Sequence, residues 1–396
     1  MHDEPEEPIS VISLPLILFL ISILLFIALL LREKELALFS TLVLGLTGCM
    51  KIWSLFSLHR LTCMPDINKV KAFPGETITL KVHAVNQKML PVLLRVNLPP
   101  VSGGLKIKEG FPGGCETGLL WHQKTEFSWE FLSTRRGVHK LGPITMGAGD
   151  FLGFFKKERT GAAVSIIVYP KIFPMKNLSL TKKDLFGKTG KRSPVYDPVY
   201  ILGTREYQHW QPARYIHWKA SARHDNLQEK VFDPSEQEKV LLAIDSEGFS
   251  ENSAEEKFEE TLEAAASLAV HLDGRGFATG LVTNAELCGR GKTVVQPGKN
   301  PVQLSMMLET MARMKMHCER SLVEAINRGL SLSWGMTCVI FAYSGREIMV
   351  DGAFLQHRGV PCTGIAAVNP EESSSGKCPV IHSLDAFLLN GRSADE

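Results

Sequence analysis

The chain has 396 residues, enough for two soluble domains plus membrane segments. Its 44 lysines and arginines stand against 42 acidic residues, a net charge of +2, so no global field points to nucleic acid and none is expected as a partner. The eight cysteines form no Cys-x-x-Cys pair and no zinc spacing, and scattered thiols of this kind fit a reducing compartment.

Residues 1–60 are expected to form a two-helix transmembrane hairpin. Ile9 to Leu31 is apolar without a charge, long enough at about 1.5 Å per residue to span a hydrocarbon core of about 30 Å. The acidic start, with Asp3, Glu4, Glu6 and Glu7, does not suit a signal peptide. Arg32-Glu33-Lys34-Glu35 reads as the turn, and Leu36 to Leu58 as the second span, with Lys51 near one end and Trp53 at an interfacial belt. Lys51, Arg60, Lys69 and Lys71 lie on the terminal side. Together with the family resemblance described below, they imply a multi-pass plasma-membrane protein, in contact with the lipid bilayer and with a cytoplasmic body.

Residues 66–170 read as a β-sandwich. Thr77 to Ala84, Val92 to Leu98 and Phe127 to Phe131 alternate apolar and polar residues, the period of half-buried strands. Pro99-Pro100, Gly103-Gly104, Pro112-Gly113-Gly114 and Gly142-Pro143 punctuate them. Residues 171–204 read as a basic connector. Lys171 to Arg192 holds seven basic residues against Asp184, a composition suited to a solvated loop or to an anionic lipid surface.

Residues 205–238 form the most distinctive segment. Gly203, Arg205, Glu206, Tyr207, Arg214, Ile216, His217, Trp218, Ser221, Ala222 and Arg223 concentrate groups too polar for a core and too aromatic for a solvated loop. The pattern resembles that of domain-of-unknown-function family 58, a bacterial membrane family. Its motif runs Gly-x-Arg-Glu-Tyr, a Gly-Asp pair, Arg, Ile, Trp and Ser-Ala-Arg. Here Trp210-Gln211 replaces the Gly-Asp pair. Leu132 to Pro143 and Asp150 to Phe155 also look like that family's preceding region. The resemblance implies no enzymatic activity. It implies an adaptor or scaffold working with a MoxR-type AAA+ ATPase in a chaperone-like system.

The segment has two physical readings. In one, Arg205, Arg214 and Arg223 pair with Glu206 and other carboxylates while Trp218 packs beneath. In the other, the arginines and Tyr207 present a surface to a partner, since such residues concentrate at interface hot spots. An alternative function is a membrane-associated enzyme with His217, Glu206 and Arg205 in a cleft.

Residues 239–370 read as α/β. Val240 to Ile244 is a continuous apolar run ending at Asp245, like a central parallel strand. A helix follows, opened by Ser253 with Glu256, with Phe258, Leu262, Ala265, Ala269 and Leu272 on one face. Phe277 to Thr283, Met336 to Tyr343 and Cys362 to Val368 read as strands, and Asn300-Pro301 and Arg346 to Arg358 as helix signals. This alternation predicts a mainly parallel sheet. The order resembles a von Willebrand factor A-like domain, in agreement with the family.

Such domains often bind magnesium through Asp-x-Ser-x-Ser. Asp245 fits, but Glu247 and Phe249 replace both serines, so no metal is expected at this degenerate site. Gly289-Arg290-Gly291-Lys292-Thr293 lacks the leading glycine of a phosphate loop, because Glu286 stands there, so no nucleotide cofactor is expected. Residues 371–396 read as a C-terminal tail.

Overall fold

The computed structural model describes residues 10–98, 101, 103–108, 114–149, 156–175, 201–232, 239–318, 320–330, 336–368 and 380–392. They fall into two compact units, Met1–Val168 and Tyr169–Glu396. Lys176 to Arg192, the core of the expected basic connector, and the Asp150 to Phe155 stretch lie outside the described residues.

The first unit opens with two apolar helices, α1 (Ser10–Leu30) and α2 (Lys34–Ser57), which pack against each other. Leu20, Phe26, Leu38, Phe39 and Leu42 remain exposed on their outer faces. By length and composition α2 suffices to cross a membrane. Its hydroxyls bond back along the helix: Ser40 Oγ donates to Leu36 O at 2.8 Å and Thr41 Oγ1 to Ala37 O at 2.7 Å, so no hydroxyl of this pair is left unsatisfied among apolar side chains. The turn is shorter than expected, because Lys34 and Glu35 already belong to α2.

Eleven strands follow: β1 (Leu61–Ile67), β2 (Lys71–Ala72), β3 (Thr77–Asn86), β4 (Val92–Asn97), β5 (Leu105–Ile107), β6 (Gly114–Leu119), β7 (Lys124–Ser133), β8 (Gly137–Leu141), β9 (Thr145–Gly149), β10 (Lys156–Thr160) and β11 (Val164–Val168). Two four-stranded antiparallel sheets, β1-β3-β7-β5 and β10-β9-β4-β6, share one hydrophobic core, and β2-β11-β8 forms a third small sheet. The period-two pattern has its physical outcome here. Ile78, Leu80, Val82 and Ala84 of β3 point inward with Phe127, Trp129 and Phe131 of β7 and with Leu94 and Val96 of β4.

The end of α2 is tied to this sandwich. Trp53, expected in an interfacial belt, donates its indole N–H to Pro91 O at 3.0 Å. Lys88 Nζ caps the helix, donating to Phe56 O at 2.6 Å and to Ser57 O.

The described start of the second unit, residues 169–175, is packed. Lys171 Nζ lies 5.0 Å from the ring centroid of Phe173, whose side chain is buried and whose backbone N–H donates to Ser267 Oγ at 2.9 Å. The hairpin β12 (Ile201–Glu206) and β13 (Gln228–Phe232) encloses a 3₁₀ turn, Ala213–Tyr215, and the short helix α3 (Trp218–His224).

Then come β14 (Lys239–Ile244), α4 (Glu247–Glu251), α5 (Glu255–Gly274), β15 (Ala278–Thr283), β16 (Ala285–Leu287), β17 (Val294–Gly298), α6 (Gln303–Arg313), β18 (Met314–Cys318), α7 (Leu322–Gly329), β19 (Met336–Ser344), α8 (Gly345–His357), β20 (Cys362–Val368), β21 (Val380–Ser383) and α9 (Leu384–Arg392). The six-stranded sheet runs β17-β15-β14-β19-β20-β21 and is parallel except for the edge strand β17. The residues expected on one face of the first long helix, Phe258, Leu262, Ala265, Ala269 and Leu272, are all buried in α5.

Two sequence readings are corrected. The expected tail contributes the sixth strand and a packed helix, because Leu384, Phe387 and Leu388 bury apolar surface that a solvated tail would leave in water. Ser253 does not cap α5. It sits in the left-handed region at φ 50°, and the helix starts after Ala254 without a side-chain cap.

Candidate functional site

The distinctive segment folds as a small scaffold held by backbone pairing. β12 and β13 pair antiparallel with Arg205 opposite Glu229 and Glu206 opposite Gln228. The chain after Tyr207 loops out and returns beside β13, where Ile216 bridges Glu229 and His217 N–H donates to Gln228 O at 2.7 Å.

Most of the polar groups in the motif serve this geometry. Tyr207 Oη donates to Gln211 O at 2.7 Å. His217 is the N-cap of α3, its Nδ1 accepting from Ala220 N–H at 3.0 Å. Ser221 Oγ donates to His217 O at 3.1 Å and accepts from Gln228 N–H at 2.8 Å, fastening α3 to β13. Asp225 ends the helix in the left-handed region at φ 53°, which aspartate tolerates better than most residues.

The arginines divide. Arg205 pairs with Glu229, a residue 2% exposed whose Oε2 has no hydrogen-bond partner among the described residues. Arg214 instead stacks its guanidinium 5.0 Å from the Tyr215 ring centroid and donates to Tyr215 Oη at 3.2 Å. Arg223 and Glu206 are exposed. Among the carboxylates expected to receive the arginines, Arg205 takes buried Glu229 across the strand pair rather than Glu206. The expectation that Trp218 packs beneath the segment is also corrected. Its ring is 69% exposed, and Trp210 is 77% exposed, because Ile216 already fills the buried position. Sequence reasoning missed Glu229, whose partner is set by hairpin register, and passed over Trp210 as a mere departure from the motif.

A second cluster lies at the carboxyl ends of β14 and β19, where parallel α/β sheets form their crevice. Asp245 Oδ1 accepts from Glu247 N–H at 3.0 Å and from Asn284 Nδ2 at 2.6 Å. Ser246 donates both N–H and Oγ to Asn284 Oδ1, at 2.9 and 3.0 Å. Burial pushes the Asp245 carboxyl up, against the opposing pull of these donors.

Glu347 of α8 accepts from Ser344 Oγ at 3.1 Å and from Tyr343 N–H at 3.2 Å, and its carboxyl rises through burial and then the Asp245 charge. Asp351, one turn further, is buried and pushed to about 7 by desolvation first, then by Asp245, Glu347 and Glu247. Phe249 is fully buried between Phe258 and Tyr343, with ring centroids at 5.4 and 5.5 Å. This set does not fit magnesium. Asp245 Oδ1 already accepts two hydrogen bonds, Ser246 Oγ is turned to Asn284, and an apolar ring occupies the last ligand position. Among the described residues no group of three His, Cys, Asp or Glu side chains is placed to hold a metal.

Comparison with known proteins places residues 203–328 in the family model described as "Protein of unknown function DUF58". An uncharacterized protein, YeaD of Bacillus subtilis (strain 168), is 24% identical over 259 residues, a match that covers 60% of this chain and 61% of that one. Among solved structures, the CARDB domain of the PF1109 protein from Pyrococcus furiosus is 12% identical over 28% of this chain and 90% of its own, with a TM-score of 0.20. Alpha-2-macroglobulin of E. coli is 18% identical over 28% of this chain and 7% of its own, with a TM-score of 0.21.

Proposed function

As a member, over residues 203–328, of the family described as "Protein of unknown function DUF58", the chain, we propose, works as a membrane-anchored, non-enzymatic adaptor whose β12–β13 segment docks a partner protein. The observation that carries this reading is the pairing of a locked polar scaffold with two large exposed rings. Tyr207, His217 and Ser221 are engaged by backbone groups, while Trp210 and Trp218, and the nearby-in-sequence Arg214 and Arg223, are exposed. Tryptophan and arginine lose little entropy for the area and hydrogen bonds they bring to an interface, which is why they dominate hot spots.

In this reading α1 and α2 form a transmembrane hairpin, supported by their length and exposed apolar faces, with the soluble parts cytoplasmic by the basic residues flanking the terminal side. The α/β part is von Willebrand factor A-like. The strand order, with β14 in the middle and β17 as an antiparallel edge, supports that assignment. The partner is a MoxR-type AAA+ ATPase, as the family resemblance implies. The enzymatic alternative draws less support, since His217 Nδ1 is committed to its helix cap and Arg205 to Glu229.

The test is capture of a MoxR-type ATPase by the full chain in detergent micelles. Trp210→Ala, Trp218→Ala and Arg214→Ala are each expected to weaken capture by about 1–3 kcal/mol, with the melting temperature unchanged. Undiminished capture by all three folded variants would sink the docking reading.

A further inference from the structure

The glycine-rich loop that fails as a phosphate loop borders a cavity. Part of the segment 283–294, with Arg320 and residues of α7, lines a half-open pocket of about 330 Å³ at the carboxyl end of β15, within the size range of small-molecule sites, roughly 300–1,000 Å³. The glycines serve its walls. A Cβ at Gly291 would stand 2.8 Å from Leu287 Cδ1, and one at Gly329 would stand 2.7 Å from Val294 Cγ2.

The chemistry of the lining is uneven. Leu287, Val294 and Ala325 give it apolar lining. At its floor Thr283 Oγ1 donates to Ile244 O at 3.0 Å, and both polar atoms of the Asn284 side chain are engaged by Ser246 and Asp245. The Thr283 hydroxyl has spent its donor, and the Asn284 amide keeps one N–H of its two. Glu286 also lines the space, with its carboxylate held by Lys315 Nζ at 2.7 Å. Two guanidinium groups remain. Arg328 gives Nη2 to Glu324 Oε1 at 2.6 Å and keeps its other donors. Arg320 makes no ion pair among the described residues.

We propose that this cavity binds a small organic anion, its apolar body against Leu287, Val294 and Ala325 and its carboxylate or phosphate head on Arg320 and Arg328. An apolar lining joined by two forked donors selects that chemistry over a neutral or cationic ligand, because planar guanidinium groups match carboxylate and phosphate oxygens in pairs. The inference stands apart from the docking reading, since no lining residue belongs to the β12–β13 scaffold.

The test uses the full chain in detergent micelles, titrated with phenyl phosphate, benzoate, orthophosphate and benzamide, with heat release and melting temperature as readouts. Phenyl phosphate or benzoate is expected to bind saturably at one site, and which of the two binds more tightly identifies the head group. Orthophosphate, lacking the apolar body, is expected to bind more weakly, and benzamide, lacking the charge, not at all. Arg320→Ala and Arg328→Ala should each weaken binding about tenfold or more, and Ala325→Phe should abolish it by filling the space. Arg275→Ala, at the end of α5, should bind as the parent does. Circular dichroism on each variant checks folding. The proposal is overturned if neither anion binds the parent, if benzamide binds as well, or if folded Arg320→Ala and Arg328→Ala variants bind undiminished.

Discussion

Asp351 is buried on α8, one turn after Glu347, and feels the charges of Asp245 at the end of β14, of Glu347 and of Glu247 in α4, while it helps to keep the buried Cys338 thiol of β19 protonated. Its folded pKa of about 7 exceeds the ordinary 3.8, so between those values the folded chain holds a proton that the unfolded chain releases. This group's contribution to stability is therefore complete below about pH 4 and is lost as pH rises through 7. At about 1.4 kcal/mol per unit the loss is on the order of a few kcal/mol. Asp351→Asn should raise the melting temperature at pH 8 and flatten its fall between pH 5 and 8. An unchanged slope in thermal melts of the full chain would exclude the assignment.

Arg205 and Arg214 part company at this scale too. Among the described residues, Arg205→Ala removes the sole ion-pair partner of a buried carboxylate whose other oxygen has no hydrogen-bond partner. It should cost about 1–3 kcal/mol of stability, whereas Arg214→Ala should leave the melting temperature where it was. Urea titrations of both variants separate the two roles.

At the scale of elements, α4 shows how a loop that resembles an ion site becomes core. Phe249 occupies the space between α5 and β19 and is fully buried, and Gly248 lets the Glu347 carboxylate lie against the helix backbone. Phe249→Ser restores a serine to the expected ligand position. It should cost about 3–5 kcal/mol, as large-to-small core changes do. It should confer no magnesium-dependent stabilisation, because Asp245 Oδ1 remains held by Asn284 and by Glu247 N–H. A magnesium-specific rise in melting temperature, in the parent or in this variant, would reverse that reading.

At the scale of the whole chain, the strand order makes residues beyond 370 structural. β21 pairs in parallel with β20 from Thr363 to Ala366, and α9 adds Leu384, Phe387 and Leu388 to the buried set. Truncation after residue 370 should expose the β20 edge and the apolar surface under α9, lowering the melting temperature and promoting association. A truncated chain that melts and sediments like the parent would place the edge elsewhere. The hairpin reading makes its own whole-chain prediction. Single-cysteine variants at Cys115 and Cys288 should resist an impermeant thiol reagent in intact cells and react after lysis. Labelling before lysis would invert the topology.

What the sequence determined by itself is local and periodic. Uncharged apolar runs specify α1 and α2, alternation specifies β3, β4 and β7, and continuous apolar segments specify β14, β15, β19 and β20, because burial of one face or of all faces leaves a pattern in the residue order. The motif from Arg205 to Arg223 was also legible, and so was the departure of Glu247 and Phe249 from a metal-binding loop. What only the tertiary structure decided depends on register and on neighbours distant in sequence. Arg205 meets Glu229 because β12 and β13 pair at that offset. Asp351 is held toward its protonated form because α8 buries it, and then because α8 carries it toward Asp245. The segment after residue 380 joins the sheet because β20 offers an unpaired edge. Trp218 faces water rather than the core because Ile216, two residues earlier, takes the buried position. Each outcome is a choice between partners of similar chemistry, and only the packed chain sets their distances.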